Sequence, residues 1–149
     1  MEIYSIVTSF RAAIMKAKQN GEFNIRGVDG WDRMSNFPGG CCDDSCDLLA
    51  HYLCTEYGIH TRQGNGRYRD NNPDNTTNHA WLVMYDNTII DITADQFGLL
   101  SGHAGGVYIG KENSFYRRLE CKKIGPNYDI TASERLNRDY QIILNYLST

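Results

Sequence analysis

The chain has 149 residues, of which 41% are hydrophobic and 22% charged, a balance typical of a globular domain with its own core. Its formal net charge of −3 argues against partners such as nucleic acid or an anionic membrane surface, and no apolar stretch approaches the roughly 18 residues of a membrane span. Five cysteines, an odd number, favour reduced thiols, and the first residues lack a signal-peptide pattern. We therefore expect one domain over residues 1–149 and a cytoplasmic location. Delivery into another cell as an effector or toxin stays open, because it would leave no signal in the sequence.

The first segment predicts an amphipathic helix over residues 3–19. Apolar residues recur on one face at intervals of three and four, namely Ile3, Ile6, Val7, Phe10, Ala13, Ile14 and Ala17. Asn20-Gly21 follows as a helix stop. Residues 22–40 then predict an irregular connection.

A glycine turn delivers two adjacent cysteines to the start of a second helix, which ends near Tyr57. Its apolar stripe is predicted to be Cys46, Leu49, Ala50, Leu53, Cys54 and Tyr57. Cys42 lies four residues before Cys46 and so projects from the start of this stripe, whereas Cys41 is rotated away. A helix N-terminus favours a thiolate, but Asp43 and Asp44 oppose it. A nearby cation, most usefully a histidine, is therefore needed to activate the thiol.

Residues 59–63 predict a short strand, and the next segment predicts a loop. Residues 64–78 consist almost entirely of turn-forming types. A loop of that length beside chemically active residues is a candidate substrate-side lid.

Residues 79–93 predict an antiparallel hairpin whose turn is centred on Asp86-Asn87. Both of its faces are apolar, which indicates a central position in a sheet. An ionisable residue in such a strand needs a partner, and His79 is the natural one for Asp91. A three-residue turn places them on one face and a two-residue turn does not, so Asp95 is the rival partner. Alternatively, Asp91 caps a turn or binds backbone amides.

The remaining segments complete an α+β fold. Residues 94–106 predict a glycine-rich connection in which His103 is an ordinary loop residue, and residues 107–110 and 115–124 predict strands. A capping box over residues 131–134 predicts the start of a last helix with Leu136, Tyr140, Ile143 and Leu147 on one face. We expect the cysteine-bearing helix to pack on a central antiparallel sheet, with helices at both ends of the chain.

The order of these features resembles the papain-like and transglutaminase-like superfamily of cysteine enzymes, whose small bacterial members include the proteases that mature lasso peptides. The matching stretches are residues 37–53 and 79–97. In the second, His-Ala-Trp followed by Ile-Asp-Ile-Thr is similar to the transglutaminase-core motif. The resemblance implies a papain/transglutaminase-like core with Cys42 as nucleophile, His79 as general base and acid, and Asp91 orienting the imidazole.

Two departures from the family pattern leave further candidates. The cysteine is doubled, so Cys41 is the alternative nucleophile. Papain relatives place an amide side chain before the nucleophile as an oxyanion donor, and Asn36, upstream of Cys42, is the residue that could match it.

Such a centre would hydrolyse an amide bond of a peptide or protein through a thioester, as a cysteine peptidase or a glutamine deamidase, and we expect no cofactor. Transfer of the acyl group to another amine would use the same triad. Two other classes stay open: a non-catalytic binding or immunity-type module, and a zinc protein. A zinc site would draw on Cys41, Cys42, Cys46, His51, Cys54 and His79, although the sequence has no C-x₂-C pair.

Overall fold

The computed structural model describes residues 2–27, 30–69, 76–95 and 106–147. Its α-helices are α1 (Ile3–Gln19), α2 (Cys42–Tyr57), α3 (Ser114–Arg117) and α4 (Glu134–Leu147). Single turns of 3-10 helix lie at Arg33–Asn36 and Ile130–Ala132. Within this part of the chain, no helix combines the length and the apolar character needed to cross a bilayer.

The strands form two antiparallel sheets, which confirms the α+β class. A small sheet pairs β1 (Arg26–Gly27) with β2 (Gly30–Trp31). The main sheet contains β3 (Thr61–Arg69), β4 (Thr76–Met84), β5 (Ile89–Asp91), β6 (Tyr108–Gly110) and β7 (Glu120–Gly125), in the order β6-β5-β4-β3-β7. The strand that carries His79 is therefore in the middle of the sheet, as its apolar faces predicted.

Apolar side chains cover both faces of this sheet. On one face, Ala80, Leu82 and Ile90 pack with buried side chains of α1, α2 and α4. On the other face lies a smaller cluster, which consists of Trp81, Val83, Ile89, Phe115, Tyr116 and Leu119. The alternation of inward and outward residues along β4 thus places neighbouring residues in two different environments.

The predicted loop over residues 64–78 is wrong for most of its length. Residues 64–69 continue β3 and residues 76–78 begin β4, while residues 70–75 lie outside the described part of the chain. A Cβ on Gly64 would lie 2.4 Å from Nε1 of Trp81, and one on Gly66 would lie 2.9 Å from Cβ of Leu119. These glycines make room for large side chains on the sheet, so they do not mark turns here.

Smaller corrections concern the ends of elements. Cys54 and Tyr57, predicted on the buried stripe of α2, are exposed. Residues 114–117 are helical, and the following strand, β7, begins at Glu120. The amide of Leu136 donates to Oγ of Ser133 at 3.2 Å, so Ser133, and not the predicted Thr131, caps α4. The predicted connection over residues 94–106, with His103, lies largely outside the described residues.

Candidate active site

Cys42 is the first residue of α2, where the sequence predicted it. Gly40 has a φ of 70°, a left-handed conformation that glycine adopts without strain, and Cys41 follows in a non-helical conformation as the N-cap. The Cys42 residue is 9% exposed, and its Sγ lies 3.8 Å from the carbonyl oxygen of Asn78 on β4. The N-terminus of α2 therefore meets β4 beside His79.

The hairpin of β4 and β5 has the register that brings His79 and Asp91 together. Val83 pairs with Ile89, and the amide of Met84 donates to the carbonyl oxygen of Thr88 at 2.8 Å. The loop between Met84 and Thr88 is therefore three residues long, with Asn87 at a φ of 69°. His79 and Asp91 then share a face of the sheet, and Nε2 of His79 lies 2.6 Å from Oδ2 of Asp91. Of the two turn lengths considered, the three-residue turn is the one present.

Asp91 is buried and fully engaged. Its Oδ2 also accepts a hydrogen bond from the hydroxyl of Tyr116 at 2.6 Å. Its Oδ1 accepts from the amide of Thr93 at 3.0 Å, so the alternative role of binding a backbone amide is present as well. These bonds fix the carboxylate and thereby fix the imidazole that it holds.

His79 is 0% exposed and is surrounded by aromatic rings. Its ring centroid lies 5.8 Å from that of Trp81, 6.1 Å from Phe115 and 6.4 Å from Tyr116. Burial lowers the pKa of His79, but the charge and hydrogen bond of Asp91 and the hydrogen bond with the Cys42 side chain outweigh it and raise the pKa to about 9. The site therefore favours an imidazolium at neutral pH, with the Asp91 carboxylate on Nε2.

Cys41, Asp95 and Asn36 have other surroundings. Cys41 is 2% exposed, and burial raises the pKa of its thiol to about 12, which disfavours it as the nucleophile. Asp95, the rival orienting residue, is ion-paired with Arg11, with Oδ2 and Nη2 2.7 Å apart. The Asn36 side chain is exposed and has no hydrogen bond to Cys42 or His79 among the described residues. The structure thus brings together Cys42, His79 and Asp91, whose catalytic roles remain predictions.

The two acidic residues after Cys42 differ in their surroundings. Asp44 is buried and ion-paired with Nη1 of Arg135 at 3.1 Å and with Nε of Arg33 at 3.3 Å. Asp43 is exposed, and burial of part of its carboxyl together with the charge of Asp44 raises its pKa. The arginines neutralise the buried carboxylate that would otherwise oppose a thiolate at the helix N-terminus.

A polar cavity of about 640 Å³ lies beside the start of α2. It is lined by residues of α2, β3 and the chain after β7, which include Asp43, Asp47, Gln63, Asn65, Asn127 and Tyr128. Burial raises the pKa of Asp47 to about 6, although the amide of Tyr128 and Nε2 of Gln63, at 3.0 and 2.8 Å, donate to its Oδ1. The lining of the cavity includes Asp43 and Asp44, the two residues that follow Cys42.

Two residues of the site were missed by the sequence reasoning. Tyr116 lies in a segment that predicted a strand, and nothing in its spacing links it to Asp91. Arg135 is 91 positions from Asp44, and only its place in the first turn of α4 brings it there. A buried carboxylate in an apolar strand indicates that it has at least one hydrogen-bond partner, but it does not show that Asp91 has a second partner or where in the sequence that partner lies.

The zinc interpretation lacks a ligand set in the described residues. None of their His, Cys, Asp and Glu side chains form a group of three or more that could hold a metal ion. The pair outside the main site, Sγ of Cys54 and Nδ1 of His60 at 3.6 Å, is exposed.

Comparison of the chain with family models, curated proteins and solved structures gives no match. The functional interpretation therefore depends on the geometry of the site.

Proposed function

We propose that the protein is a thiol-dependent hydrolase with a papain/transglutaminase-like core, which cleaves an amide bond in a peptide or protein. The observation that carries this proposal is the series of contacts from Cys42 through His79 to Asp91, with Nε2 and Oδ2 2.6 Å apart. A nucleophile, a base that reaches it and a third group that orients the base are the parts that nucleophilic catalysis requires.

The chemistry follows from these positions. The imidazole of His79 takes the proton of the Cys42 thiol, and the thiolate forms a bond to the amide carbon of the substrate. The backbone N–H of Cys42, at the start of α2, faces the developing oxyanion. His79 gives its proton to the leaving amine or ammonia as the C–N bond breaks, which leaves a thioester. Water then attacks the thioester with His79 as base, and the acid and the free thiol are released.

The two reacting groups differ in their exposure to solvent. Cys42 is 9% exposed and His79 is 0% exposed, so the substrate meets the sulfur while the protein encloses the imidazole. The polar cavity is lined by Asp43 and Asp44, the two residues that follow Cys42, and is the space that we assign to the substrate. The surrounding aromatic side chains lower the local polarity and so strengthen the attraction between the imidazolium and Asp91.

The first experiment measures the alkylation of Cys42. Cys54 and Cys121 are exposed and would also be labelled, so both are replaced by serine in the test protein. Iodoacetamide at pH 7 should modify Cys42 rapidly, as mapped by mass spectrometry of peptides. In the same background His79→Ala should slow this reaction, because the imidazolium that stabilises the thiolate is gone. Cys41→Ser should leave the rate unchanged, since the Cys41 thiol has a raised pKa.

The second experiment identifies the bond that is cleaved. A pool of peptides from digested protein is incubated with the enzyme, and new amino termini and released ammonia are measured separately. New termini indicate a peptidase, ammonia indicates a deamidase, and a product joined to an added primary amine indicates acyl transfer. Activity should disappear in Cys42→Ser and fall by about 10²–10⁴-fold in His79→Ala, the usual contribution of general acid–base catalysis. Slow labelling of Cys42 in the folded protein, together with no product, would instead support a non-catalytic module.

A further inference from the structure

Asp47 of α2 is a buried carboxylate that has no cationic partner within the described ranges of the chain. It lines the polar cavity of about 640 Å³ and is 6% exposed. Its Oδ1 accepts from Nε2 of Gln63 and from the amide of Tyr128, whereas its Oδ2 accepts from no described residue. Burial raises the pKa of Asp47 to about 6, so the carboxylate is still charged at neutral pH. Buried charges in proteins are almost always paired, so a cation in the cavity would complete the surroundings of Asp47.

The donors of the two amide side chains beside Asp47 are already used inside the protein. Nε2 of Gln63 donates to Asp47 and to Oδ1 of Asn127, at 2.8 and 3.3 Å. Nδ2 of Asn127 donates to the carbonyl oxygen and the hydroxyl of Thr61, at 3.0 and 3.2 Å. Gln63 is only 8% exposed, and its Oε1 accepts no hydrogen bond from the part of the chain that is described. Because a carboxylate can only accept, the amide of Gln63 is fixed in this orientation, and its oxygen is available to a donor in the cavity.

The charges of the cavity lining also favour a cation. Its two arginines, Arg33 and Arg135, are ion-paired with the buried carboxylate of Asp44 at 3.3 and 3.1 Å. Arg135 is also 3.3 Å from the buried carboxylate of Asp32, so two arginines face two carboxylates. Asp43, an exposed residue of the lining, has no ion-pair partner among the described side chains. It lies one helical turn before the carboxylate at position 47, so the two unpaired charges share one face of α2.

We propose that this cavity binds a cationic hydrogen-bond donor, the guanidinium or ammonium group of an arginine or lysine side chain in the peptide substrate. That the cation belongs to a substrate rests on the proposed hydrolase function, whereas the cation site itself rests on Asp43, Asp47 and Gln63. A guanidinium or an ammonium donates and does not accept, which matches two unpaired carboxylates and a free amide oxygen. Charge-assisted hydrogen bonds are stronger than neutral ones, so the cavity selects a basic side chain over a neutral one of the same shape. Because Asp43 directly follows Cys42, the basic residue lies close to the amide that is cleaved.

The first experiment measures binding of the cation alone. The probe is n-butylguanidinium, and its neutral isostere n-butylurea is the control. Each is titrated into isotope-labelled protein while the side-chain amide signals of Gln63 are followed by NMR. We expect saturable shifts with butylguanidinium and an affinity for butylurea that is lower by about tenfold or more, because the charge-assisted hydrogen bonds are lost. Equal affinities, or no saturable shift at Gln63, would overturn the proposal.

A matched pair of variants on one helix tests the carboxylate. Asp47→Asn keeps an oxygen that can accept from Gln63 and Tyr128 but removes the charge, and it should weaken butylguanidinium binding by about tenfold or more. Glu56→Gln removes a charge at an exposed position of α2 outside the cavity lining and should leave the affinity unchanged. Asp43→Asn, at an exposed residue where the fold is not at risk, should also weaken binding. Equal weakening in Asp47→Asn and Glu56→Gln would show that general charge attraction holds the probe and would refute a built site.

The second experiment tests the assignment to a substrate. Peptides that the enzyme converts are resynthesised with each arginine replaced by citrulline and each lysine by norleucine. The value of kcat/KM should fall by about tenfold or more for one such replacement, and the fall should be smaller in Asp47→Asn. Conversion at rates that do not depend on these replacements would overturn the inference and leave the hydrolase proposal intact. Saturable binding of butylguanidinium with no product from any peptide would refute the hydrolase proposal and leave the cation site intact.

Discussion

The protonation of His79 should make the stability of the protein depend on pH in a specific direction. Its pKa rises from 6.5 to about 9 on folding, which corresponds to about 3 kcal/mol at about 1.4 kcal/mol for each tenfold change in proton affinity. The folded protein holds this proton more tightly than the unfolded chain does. The stabilisation is therefore fully present below pH 6.5 and is lost as the pH rises through about 9.

Urea unfolding at several pH values between 6 and 10, with reductant present, measures this effect. The wild-type free energy of unfolding should fall by about 3 kcal/mol more over that range than that of His79→Gln, whose side chain does not titrate. His60→Gln, at an exposed histidine, should keep the wild-type dependence. If the wild type and His79→Gln lose stability in parallel, the ion pair with Asp91 does not hold the proton, and the reasoning fails.

Two further substitutions test the surroundings of the triad. Tyr116→Phe removes the hydroxyl that donates to Asp91, and unfolding should show a loss of about 1.5–3 kcal/mol, the usual value for a hydrogen bond to a charged group. The pKa of the His79 imidazole, followed by NMR, should rise in this variant, because the Asp91 carboxylate loses one hydrogen-bond donor and then interacts more strongly with the imidazolium. An unchanged pKa would show that Tyr116 has only a structural role. Gly64→Ala places a Cβ 2.4 Å from Nε1 of Trp81 and should destabilise the fold by about 1–3 kcal/mol. Gly125→Ala, where a Cβ has no neighbour within 4 Å, should stay within about 0.5 kcal/mol, and equal losses in the two glycine variants would contradict the packing argument.

The parts of the site that the sequence predicted are those set by local rules. The helical period of α2 predicted Cys42 at its N-terminus. The free-energy cost of burying an unpaired carboxylate predicted a partner for Asp91, for which His79 was the natural choice. The sequence alone permits two lengths for the hairpin turn, because Asp86 and Asn87 are residue types that suit either of them. The extension of β3 was missed because Gly64 is needed for a contact across the sheet, and composition alone cannot distinguish that from a turn.

Three cysteines lie at the start of α2, at the N-cap Cys41 and at Cys42 and Cys46, and burial alone does not decide which of them reacts. Burial raises the pKa of the Cys41 thiol to about 12 and raises that of Cys46 well above its ordinary value. Cys42 lies between them, is the most exposed of the three, and has the side chain that interacts with His79. A thiolate in such surroundings needs a cation that the protein itself supplies, and His79 can be that cation because Asp91 holds it in the charged form. The choice of nucleophile on this helix therefore depends on a carboxylate from another strand.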